Sequence, residues 1–295
     1  MAQAWGALSA VVLLLVLARL WRAVLAFALP YIALSLWVLP ALLPSEGAAP
    51  ARTLRIAYAN VNAWNEPTPE AVEWFKSTGA DVVALIECSQ AWVDALRTAP
   101  GAEAAAWPNA AVRIDGHPIG GVALLSRHPL RDVEALVSPD GRFPMIDAVA
   151  EAPDGPVRVI VAHPVPPVGV ESVAMRNAEI SWLAQRCARS ALPTAVVADF
   201  NDTPFGRALR EFAAPSGMRS AASVTGLVTT WPARIRGVTW PAPLRIAIDH
   251  CFVSRSIGIA SLSAGPDIGS DHLPLVIDIL HAESEGSAPS PAGGG

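Results

Sequence analysis

Seven short segments constrain this 295-residue chain more than any other feature, because each runs into a polar side chain at or near its end. They are residues 55–60, 81–87, 121–126, 158–163, 195–201, 245–250 and 270–272, and all but the last are built around an apolar, β-forming run. Short continuous apolar runs read as strands buried on both faces, so their last residues emerge together at one edge of a sheet stack. That edge is expected to gather Asn60, Glu87, His163, Asp199, Asn201, Asp249, Asp271 and His272. Oxygen donors of this kind suit a hard divalent ion, and two imidazoles among carboxylates suit proton transfer during hydrolysis. The pattern points to metal-assisted cleavage of a phosphoester.

The same residues carry a resemblance. Asn60-Val61-Asn62, Leu85-Ile86-Glu87, Asp199-Phe200-Asn201 with Pro204 close behind, Ile248-Asp249-His250 and Ser270-Asp271-His272-Leu273-Pro274 follow one another in chain order. This succession resembles the signature blocks of the endonuclease/exonuclease/phosphatase superfamily, over roughly residues 52–280. His163 resembles the active-site histidine of the deoxyribonuclease I, sphingomyelinase and phosphatase branches, where the apurinic-site nucleases carry tyrosine. Two positions depart from the pattern: Ala198 stands where a glycine is usual, and His250 where many members are apolar. The resemblance implies a four-layer α/β sandwich, two packed mixed β-sheets flanked by helices, and a Mg²⁺ cofactor with Mn²⁺ as the alternative. Glu87 is expected to hold the metal chiefly, helped by Asn60 and Asp271. Asp199, positioned with Asn201, is expected to orient or deprotonate the attacking water. The His272–Asp249 pair and His163 would bind developing charge or shuttle protons, with the acid and base roles left open.

Charge narrows the substrate. The chain carries 21 basic and 26 acidic residues, a formal charge of −5. Leaving out Arg19, Arg22 and Glu46, the part from residue 51 onward holds 19 basic and 25 acidic residues, or −6. A protein that grips long nucleic acid usually carries a basic surplus, because neutralised phosphates supply most non-specific affinity. A small or lipid phosphoester is therefore expected over nucleic acid, with a nuclease as the alternative and a silent binding domain on the same fold less favoured. Cys88, Cys187 and Cys251 are odd in number and sit in apolar or helical contexts, so they read as small buried hydrophobes rather than a disulfide or zinc set.

Residues 1–44 are of another kind. Residues 5–18 are apolar, Arg19 and Arg22 interrupt, and 23–43 is again uncharged and long enough for a bilayer that needs about 20 apolar residues. The expectation is one or two transmembrane helices, with Arg19 and Arg22 cytoplasmic and the catalytic domain on the outer, periplasmic or extracellular face of a bacterial inner membrane. Residues 45–51 read as a linker, 52–281 as the catalytic domain and 282–295 as a disordered tail rich in Ser, Pro, Ala and Gly.

Within the domain, Thr68-Pro69, Ser89 and Thr203-Pro204 read as helix starts, and Val173, Ile180, Leu183 and Cys187 mark a longer helix. Asp199 and Asn201 share one side of a strand end by period-two alternation, which turns His250 away from Asp249. Arg176 and Trp231 are candidate substrate contacts, the arginine as a phosphate fork and the indole as a pocket wall. Tyr58, Trp64 and Trp240 are further candidates for that wall, whereas His117 and His128, with no carboxylate partner in sequence, read as structural or solvated.

Overall fold

The structure, a computed structural model, describes residues 2–17, 26–33, 36, 53–98, 106–114, 116–139 and 141–281. Arg19, Arg22, most of 23–43, the linker and the tail from 282 lie outside the described residues. The N-terminal helix, Ala2–Leu17, has 16 residues, about 24 Å at 1.5 Å per residue, against a hydrocarbon core of about 30 Å. No helix among the described residues is long and apolar enough to cross a membrane.

The first sheet is built from β1 (Leu54–Asn60), β2 (Val82–Ile86), β3 (Asn109–Arg113), β4 (Val122–Ser126), β13 (Ile257–Ala264) and β14 (Leu275–His281), in the order β13-β14-β1-β2-β4-β3. The second uses β5 (Leu130–Leu136), β6 (Met145–Ala152), β7 (Gly155–Ala162), β8 (Thr194–Asp199), β9 (Met218–Ser220) and β12 (Asp249–Ser254), in the order β5-β6-β7-β8-β12-β9. A small hairpin, β10 (Arg234–Ile235) with β11 (Val238–Thr239), stands apart. Only β1 with β2 and β7 with β8 pair in parallel; the other pairs are antiparallel, so both sheets are mixed.

Alternation along the strands builds the layers. Ile56, Tyr58, Val159, Val161, Ala195, Val197, Cys251 and Val253 point between the sheets into one apolar core. The intervening residues face outward. Ala57, Ala59, Val83 and Leu85 meet Phe75 of α1 (Pro69–Ser77) and Trp92 of α2 (Gln90–Arg97). Ile160, Ala162, Val196 and Ala198 meet Ile180 and Leu183 of α3 (Val170–Ala188) and Phe212 of α4 (Arg207–Ser216). Each large side chain so buried contributes about 1.5–3 kcal/mol. All three cysteines are free and buried, and burial pushes each thiol up to about 12.

The helix signals differ in quality. The Thr68 hydroxyl accepts the Ala71 N–H at 3.2 Å and caps α1. Ser89 precedes α2, but its side chain makes no capping bond. Thr203-Pro204 does not open the third helix; α4 starts later, capped by Gly206. The reason is local: Asp202 takes the Thr203 N–H on its carboxylate, and the Gly206 N–H returns to the Thr203 carbonyl, closing a turn first.

Candidate active site

The inward parity that fills the core also delivers the polar strand ends. Asn60 continues the Ile56–Tyr58 row, His163 the Val159–Val161 row, Asp199 the Ala195–Val197 row, and Asp249 the row of Cys251 and Val253. All four are buried between the sheets at one edge. His250, on the opposite parity, leaves the site: its Nε2 lies 3.0 Å from the Asp202 carbonyl and its ring sits among Phe200 and Phe252.

Glu87 breaks parity. By alternation it would face outward with Leu85, but its φ of 51° swings the chain into the left-handed region and brings the carboxylate to the edge. Only five non-glycine residues among those described have positive φ, and three of them, Asn62, Glu87 and Asn201, belong to this edge. Such backbone is sparsely populated outside glycine and clusters where function requires it. Gly121 lets β4 approach: a Cβ there would lie 1.9 Å from the Cys88 carbonyl oxygen, next to Glu87.

Hydrogen bonds knit the set. The Asn60 amide donates to Glu87 Oε1 at 2.9 Å and Asp199 Oδ2 at 3.4 Å, while its Oδ1 accepts the Asn62 N–H at 3.0 Å. Asn60 is thus a strap between carboxylates, and direct metal ligation requires its amide to flip and give up the Asn62 bond. Asn62 Nδ2 and the Trp231 indole N–H each donate to one oxygen of Asp271, at 2.7 and 3.1 Å. Asp199 Oδ1 accepts the Asn201 N–H at 2.8 Å, an Asx turn, and Asn201 Nδ2 reaches the Pro164 carbonyl at 3.0 Å.

Asp249 anchors His272. Its Oδ2 lies 2.8 Å from His272 Nδ1 and also accepts the Thr230 hydroxyl, and Tyr58 donates to Oδ1 at 3.2 Å. Tyr58 is wholly buried beneath the site, so it supports Asp249 instead of walling a pocket. Burial alone would lower the His272 pKa, but the Asp249 carboxylate, with Asp199 and Asp271, raises it to about 10. Burial and the Asp249 charge push Asp199 up to about 8. His163 is lowered by burial, against a weaker upward pull from Glu87. Its Nε2 lies 3.7 Å from Glu87 Oε1 and 3.8 Å from Asp199 Oδ2, and neither ring nitrogen makes a hydrogen bond of normal geometry. Phe143 stacks on the ring at 5.4 Å and holds it.

Two expected contacts behave differently. Arg176 is committed to protein: its guanidinium donates to the Asn201 carbonyl at 2.6 Å and to Asn177, which makes it a support of the Asp199–Asn201 turn instead of a free phosphate fork. Trp231 does border the site, with its ring centroid 6.4 Å from that of His272. His128 sits 3.7 Å from Asp81, at the opposite end of β2 from Glu87. His117 is exposed, against Phe143.

The donor chemistry fits a divalent cation. Glu87, Asp199, Asp249 and Asp271 converge with no arginine or lysine bonded to any of them among the described residues, and burial together with the Asp249 charge pushes Asp199 upward in spite of His272. Ligand atoms of Asp199, Asp249 and His272 lie within 4.8 Å of one another. His272, protonated by its bond to Asp249, has no lone pair to offer a metal, so Glu87 and Asp271 are the better-suited ligands.

A mixed two-sheet sandwich with this carboxylate–imidazole edge defines a class, the metal-dependent phosphoesterases. The chain belongs to the endonuclease/exonuclease/phosphatase family, whose sequence model matches residues 57–272. No curated protein matches it. Solved structures share its fold at low identity. D. rerio TDP2, complexed with a single-strand DNA product, aligns at TM-score 0.61 and 14% identity over 77% of this chain and 98% of its own. A Bacteroides vulgatus endonuclease/exonuclease/phosphatase gives 0.59 and 18% over 77% and 98%. The Bacteroides thetaiotaomicron mannosyl-6-phosphatase gives 0.56 and 14% over 77% and 99%. Members of the family are divalent-metal-dependent hydrolases of phosphoesters and include phosphatases, nucleases and phosphodiesterases.

Proposed function

We propose that this protein is a Mg²⁺-dependent phosphoester hydrolase, a phosphodiesterase or phosphatase with water as nucleophile, attached to a membrane through its N-terminal segment. The observation that carries the reading is the buried array in which Asn60 straps Glu87 to Asp199 while Asp249 holds His272 protonated. Glu87 and Asp271 would hold the metal, with Asn60 after an amide flip. The ion, when bound, supplies neutralisation of phosphate charge and stabilisation of the leaving oxygen. Asp199, its Oδ1 held by the Asn201 N–H and its Oδ2 reached by the Asn60 amide at 3.4 Å, would take a proton from water in its ionised form, in which a raised pKa makes it a stronger base than an ordinary carboxylate. His272, a buried imidazolium with Nε2 3.7 Å from Asp199 Oδ2, is placed to bind a phosphate oxygen. His163, kept neutral by burial and held by the Phe143 stack, can donate to another.

The test is hydrolysis by the full chain of a panel of phosphomonoesters, phosphodiesters and phospholipids with Mg²⁺. Glu87→Gln, which keeps shape and removes charge, should lower turnover at least a hundredfold, and chelator should abolish it. Undiminished turnover under either condition rules out the metal assignment.

Membrane attachment is supported by the uncharged stretch at 23–43 and by the apolar side chains, such as Leu13, Leu14 and Leu29, that the N-terminal helical residues leave exposed, and Arg19 and Arg22 ahead of that stretch favour the outer face of a bacterial inner membrane. The TDP2 complex raises the nuclease reading for comparison, and the acidic balance of this domain weighs against it.

A further inference from the structure

Beside Asp271 opens a cleft of about 350 Å³ bordered by Asn62, Trp64, Arg234 and Arg236. The β10–β11 hairpin forms one wall and is hung on the site itself: the Ala233 N–H bonds the Asp271 carbonyl at 2.7 Å, and Trp240 N–H bonds Ala233. Arg234 is neutralised by Asp267 at 2.8 Å. Arg236 is exposed and has no ion pair or hydrogen bond among the described residues.

The turn makes Arg236 conspicuous. Ile235 pairs with Val238, leaving Arg236 and Gly237 as a two-residue loop with φ of 49° and 80°. Both central residues are left-handed, a turn that favours Asn, Asp or Gly at its first position. Arginine there carries backbone strain and has no hydrogen bond or ion pair among the described residues to offset it, and strained backbone of this kind clusters at functional sites. Across the cleft, Trp64 stands 76% exposed, its backbone held by the Asn62 side chain at 3.0 Å. An indole that far out of the core offers a flat face to a substrate.

We propose that this cleft receives the part of the substrate beyond the scissile phosphate, and that Arg236 selects substrates bearing a second phosphate group. The inference rests on the phosphoester reading of the adjoining site. A guanidinium fork matches phosphate bidentately, and that of Arg236 is bonded to no carboxylate among the described residues.

Adenosine 3′,5′-bisphosphate and adenosine 5′-monophosphate, which share ring and 5′-phosphate, isolate the second group. Their affinities for the full chain with Mg²⁺ are measured by calorimetry. The bisphosphate should bind at least tenfold more tightly. Arg236→Gly, which relaxes the left-handed backbone and so favours folding, should bring the ratio close to one without weakening the monophosphate, and Arg236→Lys should keep part of the preference. Equal affinities in the natural protein, failure of both to bind, or an intact ratio in Arg236→Gly overturns the proposal. Flotation with phosphatidylcholine vesicles containing phosphatidylinositol 4-phosphate separates the sources. Capture that falls in Arg236→Gly assigns the second phosphate to a lipid headgroup; equal capture beside an Arg236-dependent nucleotide ratio assigns it to a soluble ester. Turnover of p-nitrophenyl phosphate, with one phosphate and no second anion, is read in parallel. If it persists while the ratio fails, the cleft assignment falls alone; an intact ratio without any metal-dependent turnover removes the hydrolase reading alone.

Discussion

At the scale of single residues, His272 and His128 separate the catalytic edge from the rest of the molecule. His272 is tied to Asp249 at 2.8 Å within the carboxylate array, whereas His128 faces Asp81 at the far end of β2. His272→Ala should cost a hundredfold or more in rate, within the roughly 10²- to 10⁴-fold span of a lost proton-transfer group, and His128→Ala less than twofold. Comparable losses in steady-state kinetics would refute the edge geometry. Asp199 provides a pH signature. Its carboxyl holds a proton to about pH 8 in the folded state against an ordinary 3.8, so between pH 4 and 6 the unfolded chain binds fewer protons at this position than the folded one. Stability from this group therefore falls as pH rises. His272, raised to about 10 in the folded state from an ordinary 6.5, adds a slope of the same sign only near pH 6, and both proteins in the comparison keep it. Urea titrations of metal-free protein should show Asp199→Asn gaining stability relative to the natural protein as pH goes from 4 to 6; a gap that stays constant sinks the assignment.

At the scale of elements, the site depends on how closely β4 lies against the turn after β2. Cys88 N–H bonds the Gly121 carbonyl at 3.2 Å, and the Gly121 Cα faces the Cys88 carbonyl with no room for a methyl group. Gly121→Ala should push the Glu87–Cys88 turn outward, destabilising the fold by about 1–3 kcal/mol as overpacking does. It should also raise the Mg²⁺ concentration for half-maximal activity severalfold. Thermal unfolding together with a Mg²⁺ titration checks this, and an unchanged metal requirement would dissociate Gly121 from the placement of Glu87. The Arg176 contact to the Asn201 carbonyl works likewise from behind the chemistry, pinning α3 to the turn that orients Asp199.

For the molecule as a whole, the acidic balance and the N-terminal segment bear on which esters it meets. A domain of formal charge −6 has little general attraction for a long polyanion. Small or lipid phosphoesters should therefore give a higher kcat/KM than duplex DNA at matched Mg²⁺ and physiological salt, since low salt exaggerates nucleic-acid binding. Duplex DNA as the best substrate by an order of magnitude would promote the nuclease reading. In fractionation, the full chain should stay with membranes through a carbonate wash, and its release would end the anchoring proposal.

Local pattern by itself determined which polar residues stand at the strand ends, while the four layers followed from the family resemblance. Period-two alternation turns His250 away from Asp249, because the relative direction of side chains in a strand is set by backbone geometry alone; which side faces the other sheet is decided by packing, since both faces are apolar. The Thr68 cap and the α3 periodicity are equally local. Tertiary structure decided the rest. Glu87 reaches the site only through a left-handed residue that no alternation rule anticipates. Arg176 and Asn60 have the chemistry of ligand contacts, and only neighbours distant in sequence show that one is spent on Asn201 and the other on two carboxylates. Tyr58 reads as a pocket wall until packing places it beneath Asp249. Arg236 carried a signal in the Arg-Gly pair of its turn, yet its lack of a partner is a property of the folded surface. Residue type states which bonds a side chain can make; the fold, by bringing residues 60, 87, 199 and 272 together, decides which it does make.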